Sequence, residues 1–306
     1  MKCFRLLRDW KRSAGWVGAL LMALHFSARP VLAEEVTLQL YDRSSPIQQA
    51  PALASEDWQW LRDKGELVLG VAMPSNTPME ILCGEDCYEG ITADVLGALG
   101  RQLHIPVKVV RYTDRAAALA ALTDGRVDLV GSANIFEQQA RGVRLSERYI
   151  DSFPVLYVRS SDKRRMPAQL ADMRIAMAQD YLPIDLVRQR YPRAKVMTFA
   201  SAEQAMAELA FGDADIYLGD AVSSNYLVNL SYFSYVSLHA RFPDDGVGFS
   251  FALRPDAARL QTIIDTALRQ VRERHEAELL KRWSGGGASV SVSRVNLSPA
   301  ALRCQQ

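Results

Sequence analysis

Two cysteines stand four positions apart in the stretch ILCGEDCYEGITAD, residues 81–94, directly before an acidic segment. Closely spaced cysteines serve as redox pairs, metal ligands or structural disulfides. A CxxC redox pair has two residues between its cysteines, whereas three separate Cys83 from Cys87. No further ligand stands nearby to complete a metal site. In an oxidising compartment this spacing predicts a small disulfide loop between Cys83 and Cys87.

Motifs for enzyme chemistry are mostly absent from the sequence. It contains no GxSxG elbow and no GxxxxGK[ST] phosphate loop, and GVGFSF at 246–251 lacks the third glycine of a dinucleotide fingerprint. None of the histidines has the spacing of a local metal site: His25, His104, His239 and His275. We therefore predict no metal, no cofactor and no enzyme activity.

The first 33 residues have the pattern of an export signal. Basic residues precede an apolar run from Trp16 to Ala28, which is too short to cross a bilayer as a helix. The residues VLA at 31–33 suit cleavage by a signal peptidase. An uncleaved N-terminal anchor is the alternative interpretation. Under both interpretations the body of the chain lies outside the cytoplasm.

The charge balance argues against a nucleic-acid partner. Removing residues 1–33 takes six Lys/Arg and one Asp from the totals of 36 and 35, which leaves 30 basic and 34 acidic residues and a net charge of −4. Nucleic-acid binders depend instead on a basic surface. The remaining 273 residues suffice for one large or two medium domains.

The elements that must position a site alternate between short apolar strands and helices from residue 58 onward, which predicts an α/β protein with parallel sheets. The stretch DRAAALAALTDGRVDLVGSA at 114–133 matches SAEQAMAELAFGDADIYLGDA at 201–221 with an offset of 87 residues. This offset places Gly125 over Gly212 and Asp128 over Asp215. The repeated pattern predicts two α/β lobes.

The sequence predicts the following regions: a signal peptide at 1–33, an N-terminal arm at 34–57, lobe 1 at 58–157 and 246–283, lobe 2 at 158–245, and a flexible Gly/Ser-rich tail at 284–306. The extended stretches FPVLYVRSS at 153–161 and GVGFSFALRPD at 246–256 are expected to cross between the lobes. Two such crossings form a hinge, with a ligand cleft between the carboxyl ends of the strands.

The strand-end rule selects candidate ligand-binding residues on both sides of this cleft. The candidates are Ser132, Asn134 and the loop after Met73 in lobe 1, and Asp180, Tyr181 and Asp220 in lobe 2. A structural role is the alternative for several of them: Ser132, Asn134 and Asp220 stand where they could cap the following segment, and Tyr181 could pack within its lobe.

Several segments between residues 58 and 283 resemble one known family. They are YEGITADVLGALGRQL, ALTDGRVDLVGSAN, RLSERYIDSFPVLYV, ELAFGDADIYLGDAVSSNYLV and the ending LLKRW. They are similar to the bacterial extracellular solute-binding proteins of family 3, which have the two-lobed type II periplasmic binding protein fold, the Venus flytrap. The similarity extends to the flytrap sensor domains of BvgS/EvgS-type hybrid sensor kinases.

The resemblance implies specific ligand contacts. The family's second-lobe aspartate, which binds a ligand amine, corresponds to Asp220. Its first-lobe arginine, which binds a ligand carboxylate through a bidentate fork, should stand seven residues before Ser146, but Gln139 occupies that position. Arg141, two residues further on, is the candidate replacement.

The aromatic shelf of transport receptors is also missing from the loop after the first strand. Pro78 and Met79 stand there instead. Both departures argue against a standard α-amino acid, and they leave another small carboxylate or a weakly polar ligand open.

The resemblance further implies a periplasmic receptor whose cleft closes on a small ligand, an amino acid or a small carboxylate, and whose partner is a membrane sensor kinase. The alternatives are the soluble receptor of an ABC permease and a cyclohexadienyl dehydratase-like lyase, for which no cleft glutamate is evident. The tail VNLSPAALRCQQ echoes PALASEDWQWL, so a further hypothesis is that the chain is the first flytrap of a truncated tandem sensor.

Overall fold

The computed structural model describes residues 36–47, 49–242 and 246–286, so the expected signal peptide and most of the expected tail lie outside the described residues. The strands are β1 Val36–Leu40, β2 Leu67–Ala72, β3 Ile81–Leu82, β4 Cys87–Glu89, β5 Val107–Tyr112, β6 Leu129–Ala133, β7 Arg144–Leu145, β8 Pro154–Arg159, β9 Arg174–Ala178, β10 Lys195–Phe199, β11 Ile216–Asp220, β12 Val236–Arg241 and β13 Ser250–Leu253. The α-helices are α1 Ser55–Lys64, α2 Ile91–Gln102, α3 Arg115–Thr123, α4 Ile135–Arg141, α5 Ile184–Arg190, α6 Ala202–Phe211, α7 Ala221–Leu227 and α8 Ala258–Arg282.

The first lobe is built on a mixed sheet with the strand order β3-β4-β1-β5-β2-β6-β13-β7. Its central strands β5, β2 and β6 are parallel, whereas β13 returns antiparallel to β6. Strand β1, in the segment expected to be an N-terminal arm, pairs antiparallel with β5. The first lobe therefore comprises this sheet with α1–α4 and α8.

The second lobe is built on a sheet with the strand order β10-β9-β11-β8-β12. Strands β10, β9 and β11 are parallel, and β8 and β12 are antiparallel to their neighbours. The sequence boundary placed residues up to 157 in the first lobe, but β8 pairs with β11 in the second sheet from Pro154 onward. Because Val155 and Tyr157 also pack in the second core, the chain changes lobes before Pro154.

The two lobes are joined by a pair of crossings that pair with each other. Phe249 N donates to Ile150 O at 2.8 Å, and Val247 N donates to Ser152 O at 3.0 Å. Tyr149 N donates back to Phe249 O at 2.9 Å. We call residues 149–153 and 246–249 the hinge ribbon.

The internal repeat predicted from the sequence is present in both lobes. Gly125 and Gly212 end α3 and α6 with positive φ values of 74° and 98°, a conformation that glycine adopts without strain. After each glycine an aspartate accepts a hydrogen bond from the backbone of the neighbouring parallel strand: Asp128 from Val68 N and Asp215 from Arg174 N. The repeated aspartates thus align the start of one strand with the next.

Asp94 in α2 ties three segments together. Its side chain is 0% exposed and accepts hydrogen bonds from Arg43 N (2.6 Å), Arg282 Nη1 (2.9 Å) and Trp283 Nε1 (2.9 Å). These bonds fix the N-terminal segment and the end of α8 on the first lobe. The next residue, Ser284, accepts a hydrogen bond from Asn229 Nδ2 of the second lobe at 2.7 Å.

The predicted disulfide between Cys83 and Cys87 is present. It closes the turn between β3 and β4, where Cys83 N also donates to Cys87 O at 3.1 Å. Strand β4 leads directly into α2, so the disulfide constrains the turn that precedes this helix.

Replacing both cysteines by serine should lower the free energy of unfolding by about 2 kcal/mol, because a bond across so short a loop removes little entropy from the unfolded chain. Urea unfolding of Cys83→Ser/Cys87→Ser beside the oxidised and the reduced wild type measures the loss. The reduced wild type should unfold like the double variant. Equal stability of all three proteins would show that the bond has no stabilising role.

None of the helices in the described part of the chain is apolar over a length that crosses a membrane. Helix α8 is the longest at 25 residues, but it carries charged residues along most of its length.

Candidate ligand-binding cleft

A cavity of about 90 Å³ lies between the lobes, at the carboxyl ends of the central strands. Both lobes contribute polar side chains to its lining. Those of the first lobe are Ser75, Asn76, Glu80, Arg115, Ser132, Asn134 and Glu137, and those of the second lobe are Asp180, Tyr181, Ser201, Tyr217 and Asp220. This arrangement is that of a site completed by the approach of the two lobes.

Glu80 lies in the loop after β2 and is only 5% exposed. The Tyr88 hydroxyl donates to its Oε1 at 3.1 Å. Burial raises the pKa of Glu80, and the nearby Arg115 guanidinium opposes this shift. Glycine is required at position 131, because a Cβ there would collide with the Glu80 carboxylate.

Arg115 begins α3, immediately after the helix cap Asp114. Its Nε and Nη2 bind the two carboxylate oxygens of Glu137 at 2.9 and 2.6 Å, and its Nη1 donates to Gly131 O at 2.7 Å. Burial lowers the pKa of Arg115, but the contacts with Glu137 outweigh it and the net shift is upward. Helices α3 and α4 are thereby joined at the cleft by a bidentate ion pair.

Ser132 and Asn134 follow β6 at the edge of the first lobe. Ser132 has a φ of 53°, and its backbone N donates to the Tyr149 hydroxyl at 2.8 Å. Asn134 Oδ1 caps α4 by accepting from Phe136 N and Glu137 N. Its Nδ2 donates across the cleft to Tyr181 O of the second lobe at 3.2 Å, so Asn134 has both the capping role and a contact between lobes.

Asp220 ends β11 and is 5% exposed. Its Oδ1 accepts from Ser223 N at 2.9 Å, which caps α7, and from the hinge-ribbon residue Ser152 through Oγ at 3.2 Å. Burial raises the pKa of Asp220, and the hydrogen bonds from Ser223 and Ser152 oppose this shift. The capping role that the sequence left open is therefore real, and it coexists with a position in the cavity wall.

Two more residues of the second lobe reach the cavity after β9. Tyr181 is buried in the core of its lobe, and Asp180 stands at the more exposed mouth. Burial raises the pKa of Asp180.

The structure brings five of the six sequence candidates into one cavity: Ser132, Asn134, Asp180, Tyr181 and Asp220. Arg141 does not line it. This residue lies exposed in the last turn of α4, beside an adjoining open groove that also includes Asp180. The guanidinium in the cavity wall is that of Arg115.

The loop after Met73, which was a candidate as a whole, contributes Ser75, Asn76 and Glu80 to the cavity. Pro78 and Met79 do not line it; their carbonyl oxygens accept from Ile91 N and Thr92 N at the start of α2. Met79 is fully buried in the first core. The expectation that no glutamate lies in the cleft is wrong, because Glu80 and Glu137 both line it.

For two cavity residues that were not predicted individually, the sequence contains a signal. Arg115 follows the carboxyl end of β5 and Glu80 follows that of β2, so the strand-end rule that selected Asp220 also applies to them. Glu137 has no such signal, since its place depends on how α3 and α4 pack. No group of side chains suited to hold a metal ion occurs in the described ranges.

Two mixed α/β sheets, a double crossing and a cavity lined from both sides define the two-lobed Venus flytrap class of binding proteins. The chain belongs to the bacterial extracellular solute-binding proteins, family 3, whose family model matches residues 67–286.

Curated relatives include the virulence sensor protein BvgS of Bordetella bronchiseptica, 38% identical over 274 residues that cover 90% of this chain and 22% of the relative. The sensor protein EvgS of Escherichia coli K12 is 23% identical over 237 residues, covering 77% of this chain and 20% of the relative. The chain thus spans about a fifth of the length of the curated relatives it matches.

Solved structures show the same fold. The periplasmic domain of Bordetella pertussis BvgS superposes with a TM-score of 0.75 and 35% identity, over 84% of this chain and 50% of that one. An ancestral amino acid-binding protein, described as a precursor of cyclohexadienyl dehydratase, has a TM-score of 0.63 and 20% identity, over 74% of this chain and 99% of that one. The second likeness concerns the fold alone.

Proposed function

We propose that this chain is a periplasmic receptor domain that closes on a small solute and thereby signals, as the sensor part of a two-component system. The main support is that one cavity is lined by buried polar side chains of both lobes, with Glu80 on one side and Asp220 on the other. The similarity to the BvgS periplasmic domain supports both the location and the signalling role. The membrane partner in this proposal is a sensor kinase.

The mechanism in this proposal is a population shift. A solute that touches Asp220 and first-lobe groups makes all of its contacts only when the lobes have approached, so binding favours the closed arrangement. Asn134 and Tyr181 already form a hydrogen bond across the cleft, which supports such an approach about the hinge ribbon.

An alternative is the soluble receptor of an ABC importer. It is supported by the similar fold of a putative ABC transporter binding component from Wolinella succinogenes complexed with lysine, at a TM-score of 0.63 and 18% identity. A genetic test separates the two functions. If deleting the gene abolishes the response controlled by a sensor kinase, signalling is favoured. If the deletion abolishes uptake of the solute, transport is favoured.

A lyase on the same fold is the third candidate, and Glu80 is the observation that favours it. A buried carboxyl with a raised pKa is suited to proton transfer. Incubation with prephenate, followed by detection of phenylpyruvate, tests this candidate directly. The receptor proposal requires that no product forms.

The receptor proposal is tested by a thermal-shift screen of the chain against amines, small carboxylates and amino acids. A ligand at one hundred times its Kd should stabilise the protein by about 2.7 kcal/mol. Small-angle X-ray scattering on each hit should then show a smaller radius of gyration. If no solute both stabilises and compacts the protein, the receptor function is wrong.

A further inference from the structure

The cavity between the lobes is strongly acidic. Among the described residues that line it, the ionisable acids are Glu80, Glu137, Asp180 and Asp220, and the one cationic side chain is Arg115. With these groups ionised, four carboxylates face one guanidinium, a net charge of −3. Such a surface attracts cations and repels anions.

The single cation is already used within the protein. Arg115 Nε and Nη2, one of the two nitrogen pairs that can fork onto a carboxylate, bind both oxygens of Glu137. The remaining terminal nitrogen, Nη1, donates to Gly131 O. A ligand carboxylate would have to compete with Glu137 for this guanidinium, whose charge Glu137 already balances.

Glu80 is a buried carboxyl whose charge the protein balances only in part. It accepts a hydrogen bond from the Tyr88 hydroxyl, and the nearby Arg115 guanidinium, which already binds both oxygens of Glu137, opposes the effect of burial on the pKa of Glu80. A buried negative charge is costly unless it is paired. A cationic group placed in the cavity beside Glu80 would supply a counter-charge that is not shared with Glu137.

The second lobe presents matching acceptors. The hydrogen bonds from Ser223 N and Ser152 Oγ to Asp220 both end on Oδ1. The Tyr217 hydroxyl is fully buried beside Gly219, which lines the cavity, and its neighbour is the Ser224 side chain. An ammonium group has three N–H donors and no acceptor, which suits both side chains.

Resting on the receptor function proposed above, we infer that the ligand is a small organic cation, with an ammonium or guanidinium group at each end and no carboxylate. Glu80 of the first lobe binds one end and Asp220 of the second lobe binds the other. Glu137 has a positioning role, because it holds Arg115 away from the ligand and so excludes carboxylates.

A matched series of ligands tests this inference. The probes are 1,5-diaminopentane, 5-aminopentanoate and glutarate, which share a five-carbon chain and differ only in their end groups. Isothermal titration of the full chain at pH 7 should show that the diamine binds at least about tenfold more tightly than 5-aminopentanoate. Glutarate should not bind. A diamine that binds no better than 5-aminopentanoate, or not at all at about 10 mM, overturns the inference.

Three variants test whether the named side chains cause the preference for the diamine over 5-aminopentanoate. Glu80→Gln keeps the shape and the acceptor for Tyr88 but removes the charge, and should weaken diamine binding by about tenfold or more. Glu66→Gln removes an exposed acid outside the cavity and should bind the diamine as the wild type does. Glu137→Gln frees one edge of Arg115 and should strengthen the binding of 5-aminopentanoate. Unchanged diamine binding in a folded Glu80→Gln protein contradicts the assignment.

The two proposals fail in different ways. Preferential binding of glutarate or 5-aminopentanoate to the wild type would overturn the cationic ligand and leave the receptor function standing. A screen in which no solute compacts the protein would overturn the receptor function itself.

Discussion

Asp94→Ala should lower the free energy of unfolding by about 3–5 kcal/mol, the loss typical of removing one partner from a buried ion pair. The substitution leaves Arg282 Nη1, Trp283 Nε1 and Arg43 N without their shared acceptor. Urea unfolding at pH 7 measures the effect. The loss is large because these donors come from two segments far apart in the chain, and all of them depend on a single carboxylate.

Two comparisons make this result specific to Asp94. Asp94→Asn retains an acceptor oxygen without the charge, so its stability should lie between those of the wild type and Asp94→Ala. Glu66→Ala removes an exposed acid, and its effect should stay within about 0.5 kcal/mol. A loss below about 1 kcal/mol for Asp94→Ala would mean that the end of α8 is held on the first lobe by its apolar contacts alone.

Asp220→Asn should weaken the binding of 1,5-diaminopentane by about 10- to 100-fold, the range for a hydrogen bond to a charged group. The same change should not destabilise the protein. Asparagine keeps an oxygen that can accept from Ser223 N and Ser152 Oγ, and it removes a carboxylate that burial disfavours. Calorimetric titration gives the affinity, and urea unfolding gives the stability.

The pH dependence of this variant has a defined sign. Burial raises the pKa of Asp220 above its value in the unfolded chain, so the wild type loses stability as the pH rises through the folded-state pKa. Asparagine does not titrate. The stability of Asp220→Asn relative to the wild type should therefore increase as the pH rises from about 4, and the two should differ least in more acidic solution.

The control for these two measurements is Asp220→Ala. Alanine also removes the cap of α7, which should cost about 1 kcal/mol beyond any effect of the charge. If Asp220→Asn binds the diamine as tightly as the wild type, Asp220 is a helix cap and no part of the ligand site.

Much of the fold could be predicted because each half of the chain repeats one local pattern. The glycine after a helix and the aspartate before a strand recur at Gly125/Asp128 and at Gly212/Asp215, and both pairs have the same structural role. The lobe of β8 could not be predicted in this way. Its residues, FPVLYV at 153–158, are apolar on both faces and fit either sheet, so the pairing with β11 depends on contacts distant in sequence.

The residues of the candidate site also differ in this way: some follow from a local sequence pattern, and others depend on contacts distant in sequence. Asn134 and Asp220 were predictable because Asn134 follows β6 and Asp220 ends β11, and a strand end fixes where the next residues lie. The ion pair of Arg115 with Glu137 joins the starts of two different helices, and no local spacing indicates it. The resemblance implies a carboxylate-binding arginine at a fixed distance before Ser146, where Gln139 stands, whereas the structure brings the guanidinium of Arg115 to the cleft from α3.

The hinge ribbon limits how the two lobes can move. Its two segments are joined by the hydrogen bonds from Phe249 N to Ile150 O and from Val247 N to Ser152 O. Sliding one lobe past the other would break these bonds, whereas bending the ribbon preserves them. In the closing motion proposed above, bending of the ribbon brings the lobes together along one path, so the gap that remains has a defined width. We then expect the inferred diamine ligand to be selected by its length as well as by its charge: a shorter diamine should fail to reach one lobe, and a longer one should hold the lobes apart.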